Sequence, residues 1–196
     1  METKMLLQLK CLMIIAAISP LLPLAACQNT NTKNNVRNAE QQQASPKEDI
    51  HTAVVKNNIE AIKQHIADKS NLNLKEPYGG STPLISAALF GRTEIAKLLM
   101  DAGADLNIQN NDGSTALITA AFFCRPEIVK MLLAKTANKT IRNKYGQTAY
   151  ETVLAPFSEV KPVYDMLGNA LAPMGLKLDY AYIEKTRPVI ASMLKP

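Results

Sequence analysis

The sequence predicts an all-α solenoid, a stack of similar helix-turn-helix units, and three observations carry that prediction. A short phrase recurs every 33 residues, beginning at Gly80, Gly113 and Gly146. Ala-Ala and Glu-Ile pairs recur at the same spacing between the first two of these units. Each of those units also contains two apolar stretches of helical length. A fixed period of this length indicates one supersecondary unit that is stacked on copies of itself.

The two helices of a unit are clearest in the first regular copy. Thr82 can cap a helix over Pro83–Phe90, because proline is well tolerated at the first helical position. Gly91 is expected to end that helix in the left-handed conformation. Glu94–Met100 then predicts a second helix with an apolar face that includes Leu98 and Leu99.

The recurring residues resemble those of the ankyrin repeat, and the resemblance implies about four helix-turn-helix repeats with a C-terminal helical cap. The motifs that carry it are Thr82-Pro83-Leu84, Ala87-Ala88, Leu98-Leu99 and Gly103-Ala104-Asp105-Leu106-Asn107. Two departures concern local geometry: Cys124 stands in the place of Gly91, and Ile85 and Ile118 replace the histidine usual in the family. The repeat domain is predicted over residues 47–196, with repeats near 47–76, 77–109, 110–142 and 143–172.

The first and last repeats are less regular than the two between them. Residues 47–76 read as a degenerate N-terminal repeat with a polar outer face. In the last repeat we expect a first helix near Ala149–Leu154, followed by a break at Pro156 and Pro162. Helices are then predicted over Val163–Leu171 and Tyr180–Leu194, and the latter would cover the apolar end of the stack.

Residues 1–27 have the pattern of a targeting segment. Two lysines precede an apolar run that is too short and too interrupted by prolines for a membrane span. The run ends at Leu24-Ala25-Ala26-Cys27, which resembles the lipobox of bacterial lipoproteins and implies lipidation of Cys27. The alternative is an ordinary secretory signal. Residues 28–46 are polar and predict a disordered tether. We expect a lipid-anchored protein on the periplasmic side of the envelope, at the outer membrane rather than the inner.

Composition and motifs argue against catalysis and nucleic-acid binding. The net charge is +5, but three of those charges fall within residues 1–47, and no basic stripe is evident. We find no catalytic or nucleotide-binding motif, and we expect no cofactor and no enzymatic activity. His51 and His65 have no metal-ligand spacing around them and read as core or surface residues. Cys124 reads as a small buried side chain rather than as a reactive thiol.

The remaining function is protein binding, and the family resemblance locates it on the concave face. That face would comprise the turn tips and the ends of the first helices. The apolar residues at the helix ends would form an exposed patch suited to a partner. The candidate partner-binding residues are Tyr78, Ser81, Leu89, Phe90, Asn111, Asp112, Ser114, Phe122, Phe123, Lys144, Tyr145 and Gln147.

The sequence leaves the identity of the partner open. We expect a monomer that binds another protein of the envelope or periplasm, for example as an accessory factor for an envelope enzyme in oxidative defence. One alternative is an immunity-type inhibitor that blocks a toxin or an enzyme. Another is a redox sensor that works through the Cys124 thiol. These alternatives remain open at the level of the sequence.

Overall fold

The computed structural model describes residues 48–195. Within that range the chain forms eight α-helices, two 3-10 helices and no strand, which confirms the predicted all-α class. The predicted signal peptide, Cys27 and the predicted tether lie outside the described residues. The α-helices are α1 Ile50–Lys56, α2 Ile59–Ala67, α3 Pro83–Phe90, α4 Thr93–Asp101, α5 Ala116–Phe122, α6 Pro126–Ala134, α7 Phe157–Leu171 and α8 Tyr180–Leu194. The 3-10 helices are Glu151–Val153 and Ala172–Met174.

A buried threonine starts the first helix of each regular repeat. The hydroxyl oxygens of Thr82 and Thr115 accept hydrogen bonds from the N–H groups of Ile85 and Ile118, both at 3.3 Å. Pro83 follows at the first helical position, where its missing N–H is not needed. These local signals explain why α3 has the bounds that the sequence predicts.

Left-handed backbone ends the first helix of each of the first three repeats, even where glycine is absent. Gly91 has φ +67°, and the residues at the same register, Asn57 and Cys124, have φ +59° and +53°. Asparagine tolerates this conformation better than most residues, whereas a cysteine there is unusual. Cys124 therefore keeps the left-handed conformation that Gly91 has in the preceding repeat. The packing around the cysteine side chain must offset the backbone strain.

The helices stack in two rows around one continuous core. The first helices of the repeats, α1, α3 and α5, pack on one another, and so do the second helices, α2, α4 and α6. Leu99 and Leu132 are fully buried in this core, while Leu98 is only half-buried. The core continues into the C-terminal helix through Ile190 and Leu194. Helix α8 thus covers the end of the stack, as the sequence predicts.

The fourth repeat differs from the prediction at both helices. Its first helix is reduced to the 3-10 turn Glu151–Val153, in which the Glu151 carboxylate accepts hydrogen bonds from the N–H and hydroxyl of Thr148. The second helix, α7, starts six residues earlier than Val163 and runs through Pro162. A proline in the second turn removes one backbone hydrogen bond without ending the helix, because the preceding residues adopt a compatible conformation.

A row of side-chain hydrogen bonds fixes each repeat to the one before it. The carbonyl oxygen next to the end of a first helix accepts from the arginine of the following repeat. Arg92 donates to Val55 O at 2.8 Å, and Arg125 donates to Leu89 O at 3.3 Å. The equivalent oxygen of the third repeat belongs to Phe122, and there the Tyr164 hydroxyl of α7 is the donor. The cap therefore continues the row with a different side chain.

Arg187 joins α8 to the fourth repeat and to α7. Its guanidinium donates to Thr152 O at 3.1 Å, to Ala155 O at 2.9 Å and to the Tyr164 hydroxyl at 3.0 Å. The side chain is buried, yet these three partners are oxygens of neutral groups. Several hydrogen bonds to neutral oxygens replace the hydration that this charge loses on burial.

Candidate functional site

The turn tips of successive repeats form a hydrogen-bonded row. The N–H of Asn111 donates to Gly79 O at 2.8 Å, and the N–H of Lys144 donates to Asp112 O at 2.9 Å. The side-chain amide of Asn111 also donates to Tyr78 O at 3.0 Å. Each tip is thus held by the tip before it, and the row presents the predicted site residues of three repeats on one surface.

One side chain inside each tip fixes its backbone. Asn110 Oδ1 accepts from the N–H groups of Asp112 and Ser114 at 3.0 and 2.8 Å. Asn143 repeats this arrangement in the next tip, with Tyr145 and Gln147 as donors. These asparagines recur at 33-residue spacing, and such side-chain turns are typical of asparagine. The tips are therefore rigid before any partner binds.

Close contact between the tips requires glycine at the turn. Gly113 has φ +73°, and a Cβ atom added there would lie 2.9 Å from the backbone N of Lys144. A larger residue would strain the turn because φ is positive, and its Cβ atom would also push the next tip away. The positive φ is shared by Gly80, Gly113 and Gly146, and it explains why the sequence phrase recurs with glycine at its start.

The tips carry exposed aromatic and polar side chains. Tyr78 is 69% exposed and Tyr145 is 43% exposed. Asn111, Asp112 and Lys144 are exposed as well. The other predicted tip residues are half-buried: Ser81, Ser114 and Gln147. The structure therefore brings the predicted tip residues together on one accessible surface.

The predicted exposed patch at the ends of the first helices is wrong. Phe90 and Phe123 are only 8% and 4% exposed, and they form a buried cluster with Leu176. Leu89 and Phe122 are half-buried against the same cluster. The physical reason is the C-terminal segment, which folds back over these side chains and buries apolar area that water would otherwise contact.

Aromatic contacts show how the C-terminal segment is held there. The ring of Phe122 stacks on Tyr164 with centroids 4.6 Å apart, and Phe123 meets Tyr164 edge-on at 6.4 Å. Phe122 and Phe123 are themselves in edge contact at 5.1 Å. Such pairs add specific stabilisation to the area that they bury. These phenylalanines are part of the fold rather than of a free surface.

Cys124 is fully buried between the third repeat and α8. Its thiol lies 3.6 Å from Ile183 O, to which it donates a weak hydrogen bond. Burial raises the pKa of this thiol to about 11, although Arg187 and Arg125 act in the opposite direction. The thiolate is the reactive form, so the group is unreactive near neutral pH. This environment disfavours the redox-sensor alternative.

The two histidines have different surroundings: both ring nitrogens of His65 have hydrogen-bond partners, whereas within residues 48–195 those of His51 have none. His65 is buried, and its ring nitrogens lie 3.1 Å from Ser70 Oγ and 2.7 Å from Glu48 O. Burial lowers the pKa of His51, while the nearby Asp49 carboxylate raises it to a smaller extent. Across residues 48–195 there is no group of side chains that could hold a metal ion.

Sequence reasoning missed the arginine that organises the C-terminal cap. Arg187 lies on the buried face of α8 between Ile183 and Ile190, at the spacing of core residues. That spacing was the available signal, because a charged residue on an apolar helical face needs buried partners.

Among the helices of residues 48–195, none has the length and apolarity to cross a membrane.

Comparison with known proteins agrees with the recurring residues. A family model of ankyrin repeats matches residues 50–143 in three copies. A similar solved structure is the ankyrin repeat domain of Bcl-3, described as a unique member of the IkappaB protein family. It is 24% identical with a TM-score of 0.52, and the match covers 60% of this chain. This chain spans 50% of the length of that structure. No curated protein matches the sequence. Residues 50–143 therefore consist of ankyrin repeats, in agreement with the helical stack that the structure shows.

Proposed function

We propose that this protein binds another protein of the cell envelope through the row of turn tips. Ankyrin repeats are protein–protein interaction modules, which supports the general class. The observation that carries the location is the pair of exposed tyrosines, Tyr78 and Tyr145, on two tips that are both hydrogen-bonded to the tip between them. Tyrosine is enriched at binding surfaces because it combines a large apolar ring with a polar end.

The rigidity of the tips favours binding with little entropic cost. Asn110 and Asn143 already fix the turn backbones, and the contacts between tips fix their spacing. A partner therefore does not have to order these loops when it binds. The side chains of Asn111, Asp112 and Lys144 lie among the tyrosines and offer both donors and acceptors. The surface is suited to a folded partner with a polar, partly aromatic face.

Affinity capture from detergent-solubilised envelopes tests this surface. The intact protein is compared with Tyr78→Ser/Tyr145→Ser, and captured proteins are identified by mass spectrometry. Tyr182→Ser is the matched control, because Tyr182 is 44% exposed but lies on α8. We expect the double variant to lose the partner that the wild type and the control retain. A partner retained equally by all three proteins contradicts the proposed surface.

We further propose that Cys27 carries the lipid anchor. The support is the run Leu24-Ala25-Ala26-Cys27, in which small residues precede the cysteine. Acyl chains contribute about 0.8 kcal/mol per buried CH₂, so they can hold a protein at a bilayer without a spanning helix. A flexible tether over residues 28–46 would have a root-mean-square reach of about 25 Å. The binding surface would then work close to the membrane.

Cell fractionation tests the anchor independently of the binding surface. In Cys27→Ser the protein should move from the membrane fraction to a soluble or unprocessed form, and it should lose incorporated acyl label. The internal comparison is Cys11→Ser, because Cys11 precedes the proposed cleavage site. Identical fractionation and labelling of wild type and Cys27→Ser contradicts lipidation at that residue.

A further inference from the structure

The two C-terminal helices are attached to the repeats in different ways. Helix α8 has five buried residues, of which Ile190 and Leu194 belong to the main core. Helix α7 has the same length, but Tyr164 is its one buried residue. Since buried apolar contacts hold a helix in place, α7 is the more weakly held of the two.

The backbone of α7 is also weaker than that of an average helix. Pro162 removes a backbone hydrogen bond, and Gly168 lowers helix propensity. Pro156, at the N-cap, makes no side-chain capping bond. At the other end the chain passes through the 3-10 turn Ala172–Met174 into Gly175, which has φ +86°. Helix α7 is therefore bounded at both ends by residues that do not continue the helix.

One face of this segment covers the phenylalanine cluster. Leu167 and Leu171 of α7, followed by Leu176 and Leu178, pack against the cluster that contains Phe90 and Phe123. This cluster is separate from the main core. With Tyr164, the two α7 leucines follow the spacing i, i+3, i+7 of one helical face. The segment lies on the repeats as an amphipathic helix lies in a groove.

Near its start, α7 is held by a second buried cluster of Cys124, Tyr164 and Ile183, against which Phe157 and Val160 pack. The Tyr164 hydroxyl donates to Phe122 O and accepts from Arg187. Lys161 lies 4.9 Å from the ring of Tyr180, and it pairs with Asp165 inside α7 itself. Interactions at exposed positions contribute little to stability. Arg187 also donates to Thr152 O and Ala155 O, so α8 has bonds to the repeats that do not involve α7.

We propose that residues 157–178 form a strap that lifts from the phenylalanine cluster, and that the groove beneath then accepts an amphipathic helix of another protein. The strap itself defines the chemistry of this ligand: apolar side chains at i, i+3 and i+7 on one face and polar residues on the other. The groove is a second interaction surface, separate from the turn tips. The strap competes with the external helix for the groove and so lowers the apparent affinity of that helix.

Hydrogen exchange of the wild-type protein tests whether the strap opens. We expect the amides of α7 to exchange at least about 100-fold faster than those of α5, while α8 stays protected, because local opening exposes the weakly packed segment first. Protection of α7 equal to that of α5 overturns the proposal. This measurement needs no variant and so does not depend on how substitutions affect folding.

Binding of a peptide in trans tests the groove. The probe is a fluorescent peptide with the sequence of residues 156–179, added to the full chain. In Leu167→Asp/Leu171→Asp the strap is weakened, and we expect at least about 10-fold tighter peptide binding than in the wild type. Asn169→Asp/Ala170→Asp adds the same charge at exposed positions of α7 and serves as control. Equal binding to all three proteins, or no binding to the weakened variant, overturns the proposal.

Discussion

The regular repeats and the C-terminal region solve the same packing problem with different residues. In residues 77–142, equivalent positions carry equivalent side chains, such as Arg92 and Arg125, which donate to the same carbonyl position. In the C-terminal region, Tyr164 supplies that donor, and Arg187 supplies the bonds that tie the helices together. A repeat can be extended by copying itself, whereas the end of a stack needs contacts that do not repeat.

The largest effect should come from the core of a regular repeat. Leu132 is fully buried, so Leu132→Ala should lower the free energy of unfolding by about 2–5 kcal/mol in chemical denaturation. Met131 is its neighbour on α6 and is half-buried. We expect Met131→Ala to cost clearly less. Equal costs for the two variants would mean that the register of α6 is different.

The cap should show a smaller effect with a different origin. In Arg187→Met the apolar stem remains, but Thr152 O and Ala155 O lose their donors. Buried acceptors without partners cost about 1–3 kcal/mol, so we expect a total loss of about 2–3 kcal/mol in the same denaturation experiment. Lys185→Met changes an exposed residue of the same helix and should leave stability within about 0.5 kcal/mol. Matching losses for both variants would contradict the role of Arg187.

Alanine substitutions at two glycines distinguish the cost of backbone strain from the cost of a close contact. Gly91 and Gly103 both have positive φ, so alanine at either position costs about 1–2 kcal/mol. Only at Gly91 would the new Cβ also approach a neighbour, Arg125 Nε at 3.0 Å, while nothing lies within 4 Å at Gly103. Gly91→Ala should therefore be the more destabilising variant by thermal unfolding. The reverse order would place Arg125 elsewhere.

The smallest effect concerns the Cys124 thiol. Burial disfavours the thiolate and raises the pKa of Cys124 in the folded protein to about 11. The resulting stabilisation is fully present below the unfolded pKa and is lost as the pH rises through about 11. Alkylation by iodoacetamide at pH 8 should be much slower in the folded chain than in urea. Rapid alkylation under native conditions would revive the redox-sensor alternative.

The sequence predictions are more accurate for the regular repeats than for the C-terminal region. The bounds of α3 could be predicted because Thr82, Pro83 and Gly91 act locally. The turn-tip residues could be placed together because the period fixes their register. The fate of Phe90 and Phe123 could not be predicted, because it depends on a segment about 50 residues or more further along the chain that follows no repeat. Arg187 was missed for the same reason, since its partners lie in other elements.

The central claim is that the phenylalanine pair belongs to the fold and the tyrosine pair to the surface. Measuring the free energy of unfolding of two matched double variants tests it most directly. Phe90→Ala/Phe123→Ala should lower stability by at least about 2 kcal/mol, because both rings are buried. Tyr78→Ala/Tyr145→Ala should stay within about 1 kcal/mol of the wild type, because both rings are exposed at the tips. Unchanged stability in the phenylalanine variant, or a larger loss in the tyrosine variant, would contradict the assignment.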